Sequence, residues 1–140
     1  MASERHGDEP QVLGCKSGKE ELERIRRLIA DFAGSGHQTL GIICKTQNQA
    51  DRLHRGLHAA DSRVRLLAPQ SAAFGRGAVV CTVHLAKGLE FDRVIIPDAS
   101  VENYSTEMDR SLLYVACTRA MHRLTLTHTG GISPFIARKR

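Results

Sequence analysis

The chain has 140 residues, of which 41% are hydrophobic and 25% charged, and its formal net charge is +5. This length suits one globular domain whose core needs neither disulfides nor a structural metal. No apolar run approaches the roughly 20 residues of a membrane span, and the first residues lack the apolar centre of a secretory signal. We therefore expect a single cytoplasmic domain with no membrane contact.

The positive charge permits a polyanionic partner such as a nucleic acid. Aromatic residues make up only 4% of the chain and tryptophan is absent, so a platform that stacks successive bases is not indicated. We expect any contact to nucleic acid to be mainly to phosphates.

Two patterns bear on metal binding. The cysteines are widely spaced without a C-x-x-C pair, which favours buried, reduced thiols over a zinc site; they are Cys15, Cys44, Cys81 and Cys117. His54 and His58 have the spacing of a two-histidine metal face, but Arg55 stands where a metalloprotease carries glutamate. A solvated helix face is favoured, and a small metal-dependent enzyme is a minor alternative.

The first elements follow a polar lead, residues 1–10, which is predicted to be disordered. The short apolar segment Gln11–Cys15 predicts an edge strand. Ser17 and Glu20 have the spacing of a capping box, which predicts a helix that ends at Gly34. Its apolar residues fall on one face at helical spacing: Leu22, Ile25, Leu28, Ile29 and Phe32.

The next apolar run, Thr39–Cys44, is continuous and of strand length, as in a strand covered on both faces of a parallel sheet. Thr46 and Gln49 form a second capping-box pattern and predict a helix after it. The buried stripe of that helix is predicted to be Ala50, Leu53 and Leu57.

The rest of the chain continues this alternation of predicted strands and helices. The predicted elements are strands at 63–67, 78–83, 93–97 and 123–127 and a helix at 106–121. This alternation is typical of an α/β domain whose mainly parallel sheet has helices on both faces. We place that domain at residues 11–130 and a basic tail at 131–140.

Ligands of such sheets bind outside the carboxyl ends of the strands. Two polar segments follow predicted strands, Lys45–Thr46 and His84–Asp92, and we expect functional groups at both. A phosphate-binding P-loop is not found. Gly14 and Gly18 are separated by three residues where that loop has four, and Glu20 stands where it has serine or threonine.

Two longer segments resemble motifs of superfamily-one DNA helicases of the UvrD/Rep/PcrA type. Thr82–Asp92, TVHLAKGLEFD, is similar to motif V, and Leu112–Ala120, LLYVACTRA, is similar to motif VI. Upstream, Gly41–Thr46 is similar to motif IV, and the resemblance runs from about Leu40 to Leu126. It implies a RecA-like three-layer α/β domain, the second of the two lobes of such a motor, in a short or HelD-like branch.

The resemblance implies that ATP binds between two such lobes. The first lobe holds the phosphates and Mg²⁺ with a P-loop, and the second closes over them. Motif VI gives Arg119 the role of an arginine finger, because a planar fork of donors suits the charge on the γ-phosphate. Lys45 matches the place of a second arginine that contacts this phosphate, and Cys44 the place of an aromatic that stacks on adenine.

Motif V implies further roles. Glu90 would accept from the ribose hydroxyls, Gly88 would allow close backbone approach to the phosphates, and Lys87 would face phosphate or form a structural salt bridge. Thr82 and His84 match positions that contact the DNA strand in relatives, where hydroxyl and imidazole groups bond phosphate oxygens. One loop would thus contact both nucleotide and single-stranded DNA.

The sequence therefore predicts the C-terminal lobe of an ATP-dependent DNA helicase that is inactive alone, because it lacks the P-loop and the magnesium-binding acid. Its expected partners are single-stranded DNA, the first lobe, and RNA polymerase or DNA-repair proteins. No metal ligand is assigned in this chain. The alternative is an ATP-independent DNA- or protein-binding module derived from a helicase lobe.

Overall fold

The computed structural model describes residues 9–68 and 75–136. Their strands form one six-stranded sheet in the order β1-β6-β5-β2-β4-β3, and each neighbouring pair is parallel. The strands are β1 Gln11–Cys15, β2 Thr39–Cys44, β3 Arg65–Leu66, β4 Gly77–Thr82, β5 Phe91–Ile96 and β6 Ala120–Thr129. The helices are α1 Gly18–Ala33, α2 Gln47–Ala60, α3 Val83–Ala86 and α4 Glu107–Cys117.

Helices cover both faces of the sheet. On one face, α1 and α2 bury a cluster that includes Ile25, Leu57 and the β2 residue Ile42. On the other face, α3 and α4 cover a second cluster that includes Phe91 and Leu113. The predicted α/β class, with a parallel sheet between two helical layers, is confirmed.

α1 begins and ends at the predicted residues. The Ser17 hydroxyl accepts from the Glu20 N–H at 3.2 Å, and the Glu20 carboxylate accepts from the Lys16 N–H at 2.7 Å, one residue before the position that a capping box uses. Gly34 caps the other end. Of the predicted stripe, Ile25, Ile29 and Phe32 are buried and Leu22 and Leu28 are partly buried.

α2 also follows its prediction. Thr46 and Gln49 form a reciprocal capping box. Ala50 and Leu57 are buried, and Leu53 is partly buried against the same cluster. In both helices, the capping residues and the apolar stripe of the sequence thus predict the same helix that the structure shows.

Two predicted strands differ in extent. β3 keeps only two residues of the strand predicted at 63–67, because Asp61 holds Arg63 through a pair of bonds at 3.0 and 3.1 Å and keeps the preceding residues in a turn. β4 ends at Thr82, since the Thr82 hydroxyl accepts from the Leu85 N–H at 3.3 Å and starts α3, a turn that the sequence did not predict.

The remaining boundaries also shift. β5 begins at Phe91 rather than at 93, because the Phe91 N–H donates to the Arg119 carbonyl at 2.9 Å. α4 ends at Cys117 rather than at 121, because the Arg119 N–H turns back onto the Ala116 carbonyl and Ala120 starts β6.

Both chain ends lie partly outside the described residues. These exclude residues 1–8 and 137–140, and with them most of the predicted lead and the basic end of the predicted tail. After β6, Ile132 bridges to Ser100, and the Ser133 hydroxyl donates to the Tyr104 carbonyl at 2.9 Å. The domain boundary at 130 stays a prediction. No described helix has the length and apolar character needed to cross a membrane.

Candidate functional site

The predicted site residues lie at two opposite edges of the sheet. Because the strands are parallel, residues that follow strands lie at one edge and residues that precede strands lie at the other. Lys45 follows β2, and Thr82 and His84 lie where β4 ends, at the carboxyl edge. Glu90 and Arg119 directly precede β5 and β6, at the amino edge. The expectation that the whole segment after β4 lies at the carboxyl edge is therefore wrong for its second half.

The segment between β4 and β5 connects the two edges. Its first part is the single turn α3, which Lys87 ends. Gly88 follows with a φ of +81°, a left-handed conformation that favours glycine. The Leu89 N–H then donates to the Ala86 carbonyl at 3.0 Å. The segment from Thr82 to Leu89 is thus a folded connection between the two edges, and we call it the crossing.

Arg119 lies against the end of this crossing. Its Nη1 donates to the Leu89 carbonyl at 3.4 Å, and its Nη2 donates to the Thr118 hydroxyl at 3.1 Å. Its Nε is buried and has no hydrogen-bond partner among the described residues. The structure thus brings together the segments that resemble motifs V and VI.

Glu90 is placed beside Arg119 by the backbone. β5 and β6 pair from Phe91 and Ala120, the residues that directly follow these two. The side chains of Glu90 and Lys87 are exposed. Glu90 is therefore accessible to a ligand at the amino edge, and Lys87 is accessible at the end of α3.

Gly88 is required by its backbone conformation rather than by packing. A Cβ added at Gly88 would meet nothing within 4 Å. The described residues leave open space at this position, and the predicted close approach to phosphates stays a prediction.

At the carboxyl edge, Thr82 and His84 differ in accessibility. The Thr82 side chain caps α3 and its residue is only 5% exposed, whereas His84 is exposed. A phosphate can reach the His84 imidazole directly, while the Thr82 hydroxyl is already an acceptor for the Leu85 N–H.

Lys45 is held by α4. Its ammonium group lies 2.7 Å from the Asp109 carboxylate and donates to the Asn103 carbonyl at 2.6 Å. The bond to Lys45, and then the N–H groups of Ser105 and Thr106, lower the pKa of Asp109 far below its usual range, against the opposing effect of burial. Lys45 therefore contributes to the folding of this edge.

The structure does not bring Lys45 and Arg119 together. Lys45 contacts the first turn of α4, and Arg119 lies beyond its last turn. α4 has 11 residues, or about 16 Å at about 1.5 Å per residue. In this conformation the two cations contact opposite ends of α4, and a nucleotide role for Lys45 stays a prediction.

Sequence reasoning missed the acidic partners around Lys45. Asp109 completes a capping box with Thr106, and the T-x-x-D spacing was a signal that could have identified it. Asp98 has no such signal. The Asp98 backbone N–H donates to the buried Glu21 carboxylate at 2.8 Å. The Asp98 carboxylate accepts from the Ser100 hydroxyl at 2.9 Å, and burial raises the pKa of this carboxyl group.

A cavity of about 350 Å³ opens at the carboxyl edge between α1 and α2. Its polar lining includes Glu21 and Asp98, with Arg52 as a cation and Leu22 and Leu53 as apolar walls. The Glu21 carboxylate accepts from the Thr127 hydroxyl at 2.6 Å and from the Asp98 N–H at 2.8 Å, so it is already hydrogen-bonded within the protein.

Asp92, the last residue of the motif V segment, fixes the amino edge. Its carboxylate accepts from the N–H groups of Gln38 and Thr39 at 2.7 and 3.2 Å. Its own N–H donates to the Thr39 hydroxyl at 2.8 Å. Asp92 thereby aligns the starts of β2 and β5, and with them the position of Glu90.

No metal-binding cluster stands out in the described part of the chain. Residues 9–68 and 75–136 contain no group of three His, Cys, Asp or Glu side chains arranged to hold a metal ion. His54 and His58 have ring centroids 5.0 Å apart, and the Nε2 of His54 lies 3.1 Å from the Val64 carbonyl oxygen.

Comparisons with known proteins agree with this geometry. A family model for the UvrD-like helicase C-terminal domain matches residues 77–127, which contain both motif segments. The C-terminal domain of a possible DNA helicase from Lactobacillus plantarum WCFS1 is 36% identical, with a TM-score of 0.85, and the match covers 96% of this chain and 82% of that one. No curated protein matches the sequence.

More distant structures share the fold. The C-terminal domain of the DEAD-box protein Dbp5 has a TM-score of 0.62 at 12% identity, covering 87% of this chain and 77% of that one. The Sulfolobus solfataricus SWI2/SNF2 ATPase core, solved with double-stranded DNA, has a TM-score of 0.62 at 14% identity. That match covers 86% of this chain and 28% of the other.

The fold and the paired motif segments define a RecA-like lobe of a helicase. The predicted resemblance is confirmed. The chain belongs to the family of UvrD-like helicase C-terminal domains.

Proposed function

We propose that this chain is the second lobe of an ATP-dependent DNA helicase, which completes the ATP site with Arg119 and contacts single-stranded DNA. The observation that carries the proposal is the crossing from Thr82 to Leu89. It begins at the carboxyl edge and ends as a hydrogen-bond acceptor for the Arg119 guanidinium. One short segment therefore connects the proposed DNA contact with the proposed nucleotide contact.

Helicases as a family use ATP and Mg²⁺. The amino-edge groups suit the nucleotide. The Arg119 Nη1, whose contact with the Leu89 carbonyl is long at 3.4 Å, can donate to a phosphate oxygen instead, and the exposed Glu90 carboxylate can accept from ribose hydroxyls. Gly88 and Lys87 precede Leu89, the residue that Arg119 contacts, and we assign their backbone N–H and ammonium groups to phosphate. We assign Mg²⁺ and the P-loop to the first lobe, so this chain alone should not hydrolyse ATP.

The DNA contact is assigned to the carboxyl edge. The exposed His84 imidazole is available to phosphate oxygens, and Thr82 holds α3 in place beneath it. The net charge of +5 favours association with a polyanion at low salt. RNA polymerase and repair proteins stay expected partners of the parent protein.

The ATP part is tested in the polypeptide that contains both lobes. Arg119→Lys should lower kcat by roughly 10³-fold, as for other arginine fingers, and change the KM for ATP much less, because lysine lacks the planar fork. Arg110→Lys is the matched control, since Arg110 is an exposed arginine on α4 that pairs with Glu107. Equal activity of the two variants would contradict the assignment.

The DNA part is tested with this chain alone. We expect fluorescence anisotropy to show weak binding of a labelled single-stranded oligonucleotide that falls steeply as salt rises. His84→Ala should weaken binding several-fold, whereas His58→Ala, an exposed histidine on α2, should leave it unchanged. A lack of binding at low salt, or equal effects of both variants, would exclude the proposed contact and leave the ATP-independent protein-binding module as the better account.

A further inference from the structure

Thr118 lies at the C-terminal end of α4, directly before Arg119, and the proposed function gives it no role. Its hydroxyl donates to the Val115 carbonyl at 2.7 Å, a short bond. Since this bond uses the hydroxyl proton, the oxygen lone pairs remain for other donors. Arg119 Nη2 donates to that oxygen at 3.1 Å.

The remaining contacts of the guanidinium are weaker. Nη1 reaches the Leu89 carbonyl at 3.4 Å, which is long for an N–H···O bond, and the buried Nε has no partner among the described residues. An unpaired buried donor is unfavourable, and bonds to anionic oxygens are stronger than bonds to carbonyls. A phosphate oxygen would therefore replace the Leu89 contact readily.

The Thr118 contact differs from the Leu89 contact because Thr118 and Arg119 are neighbours in one backbone segment. The Thr118 N–H donates to the carbonyls of Tyr114 and Val115 at 3.1 and 3.2 Å, which anchors the residue to the last turn of α4. A hydroxyl anchored in this way can stay bonded to Nη2 while Nη1 exchanges the Leu89 carbonyl for a ligand oxygen.

We propose that Thr118 is a positioning residue for the arginine finger: its hydroxyl, fixed as an acceptor by Val115, sets the plane of the Arg119 guanidinium. This inference rests on the proposed function and adds a residue to it. Arg119 supplies the charge, and Thr118 sets the direction in which its free N–H groups point.

The test compares Thr118→Val with Thr118→Ser in the polypeptide that contains both lobes. Valine keeps the shape and removes the acceptor, so kcat for ATP hydrolysis should fall roughly 10-fold while the KM for ATP changes less than about 2-fold. Serine keeps the hydroxyl and should restore kcat to near the wild-type value. Ser111→Ala, an exposed hydroxyl two turns earlier on α4, is the control for surface changes.

A spectroscopic readout in this chain separates positioning from folding. The ¹H–¹⁵N resonance of the Arg119 Nε–H, assigned by its loss in Arg119→Lys, should move in Thr118→Val and remain in place in Thr118→Ser. A Thr118→Val variant with wild-type kcat, or a Thr118→Ser variant as impaired as Thr118→Val, would overturn the inference. If Arg119→Lys itself retains full kcat, the proposed function fails instead.

Discussion

At the scale of single residues, Gly41 in β2 is fixed by the side chain of Phe91 in β5. A Cβ at Gly41 would lie 2.6 Å from the Cδ2 of the Phe91 ring, which is itself fully buried. Gly41→Ala should therefore destabilise the fold by about 1–3 kcal/mol through overpacking, measured by urea unfolding. Because Phe91 starts the strand after Glu90, this packing also supports the amino edge.

Gly18 is the matched control for this prediction. It is the first residue of α1, and an added Cβ would meet nothing within 4 Å. Gly18→Ala should be neutral or slightly stabilising, because alanine has the higher helix propensity. If the two variants unfold at the same urea concentration, Phe91 does not constrain Gly41 in solution.

At the scale of elements, the first turn of α4 should make stability depend on acid. Folding lowers the pKa of Asp109, first through Lys45, from the value near 3.9 of an unfolded aspartate. A depressed folded pKa gives stability that is complete above the unfolded pKa and is lost as pH falls below it. The urea midpoint should therefore begin to fall near about pH 5 and continue to fall below about pH 3, because the pKa of folded Asp109 lies far below its usual range.

Variants isolate the contribution of Asp109 from those of other carboxylates. Asp109→Asn should have a lower urea midpoint than the wild type at pH 7 and a smaller further decrease towards pH 3. The control is Asp51→Asn, which removes a carboxylate that accepts a hydrogen bond from Gln47 on α2. In this variant the urea midpoint should depend on pH as it does in the wild type. If the urea midpoints of Asp109→Asn and the wild type decrease in parallel as pH falls, Lys45 does not hold the Asp109 carboxylate.

Elements with their own start signals were predictable from the sequence. α1 and α2 have capping residues and an apolar stripe, and both begin where these signals place them. α3 was not predictable, because Val83 continues the apolar run of β4 and only the Thr82 hydroxyl ends the strand. The short β3 likewise depends on the contact of Asp61 with Arg63, which strand propensity does not contain.

At the scale of the whole molecule, the sequence named candidate site residues but did not predict how far apart they lie. Arg119 meets Leu89 across 30 positions, and Lys45 meets Asp109 across 64, so neither pairing has a local signal. The strands of the order β1-β6-β5-β2-β4-β3 are parallel, so residues that precede strands and residues that follow them lie at opposite edges, and these two pairs are kept apart. Motif resemblance names residues, whereas strand direction decides at which edge of the sheet each of them lies.

The same strand order predicts a gradient of local stability across the sheet. β2 pairs with both β4 and β5, and its residues Leu40, Ile42 and Ile43 are at most 1% exposed. Among the described strands β1 pairs with β6 alone, and Val12 within it is 39% exposed. Amides of β2 should therefore open only in global unfolding, while those of β1 should open in local fluctuations at a lower free energy.

Hydrogen exchange followed by mass spectrometry measures this gradient. Peptides that cover β2 should exchange orders of magnitude more slowly than peptides that cover β1, after correction for intrinsic rates in the unfolded chain. A mild urea series should leave β1 exchange almost unchanged and accelerate β2 exchange, since only global opening exposes much surface. Equal protection of the two strands would mean that the β1 edge is covered in solution, because an uncovered edge strand has one row of unpaired backbone groups.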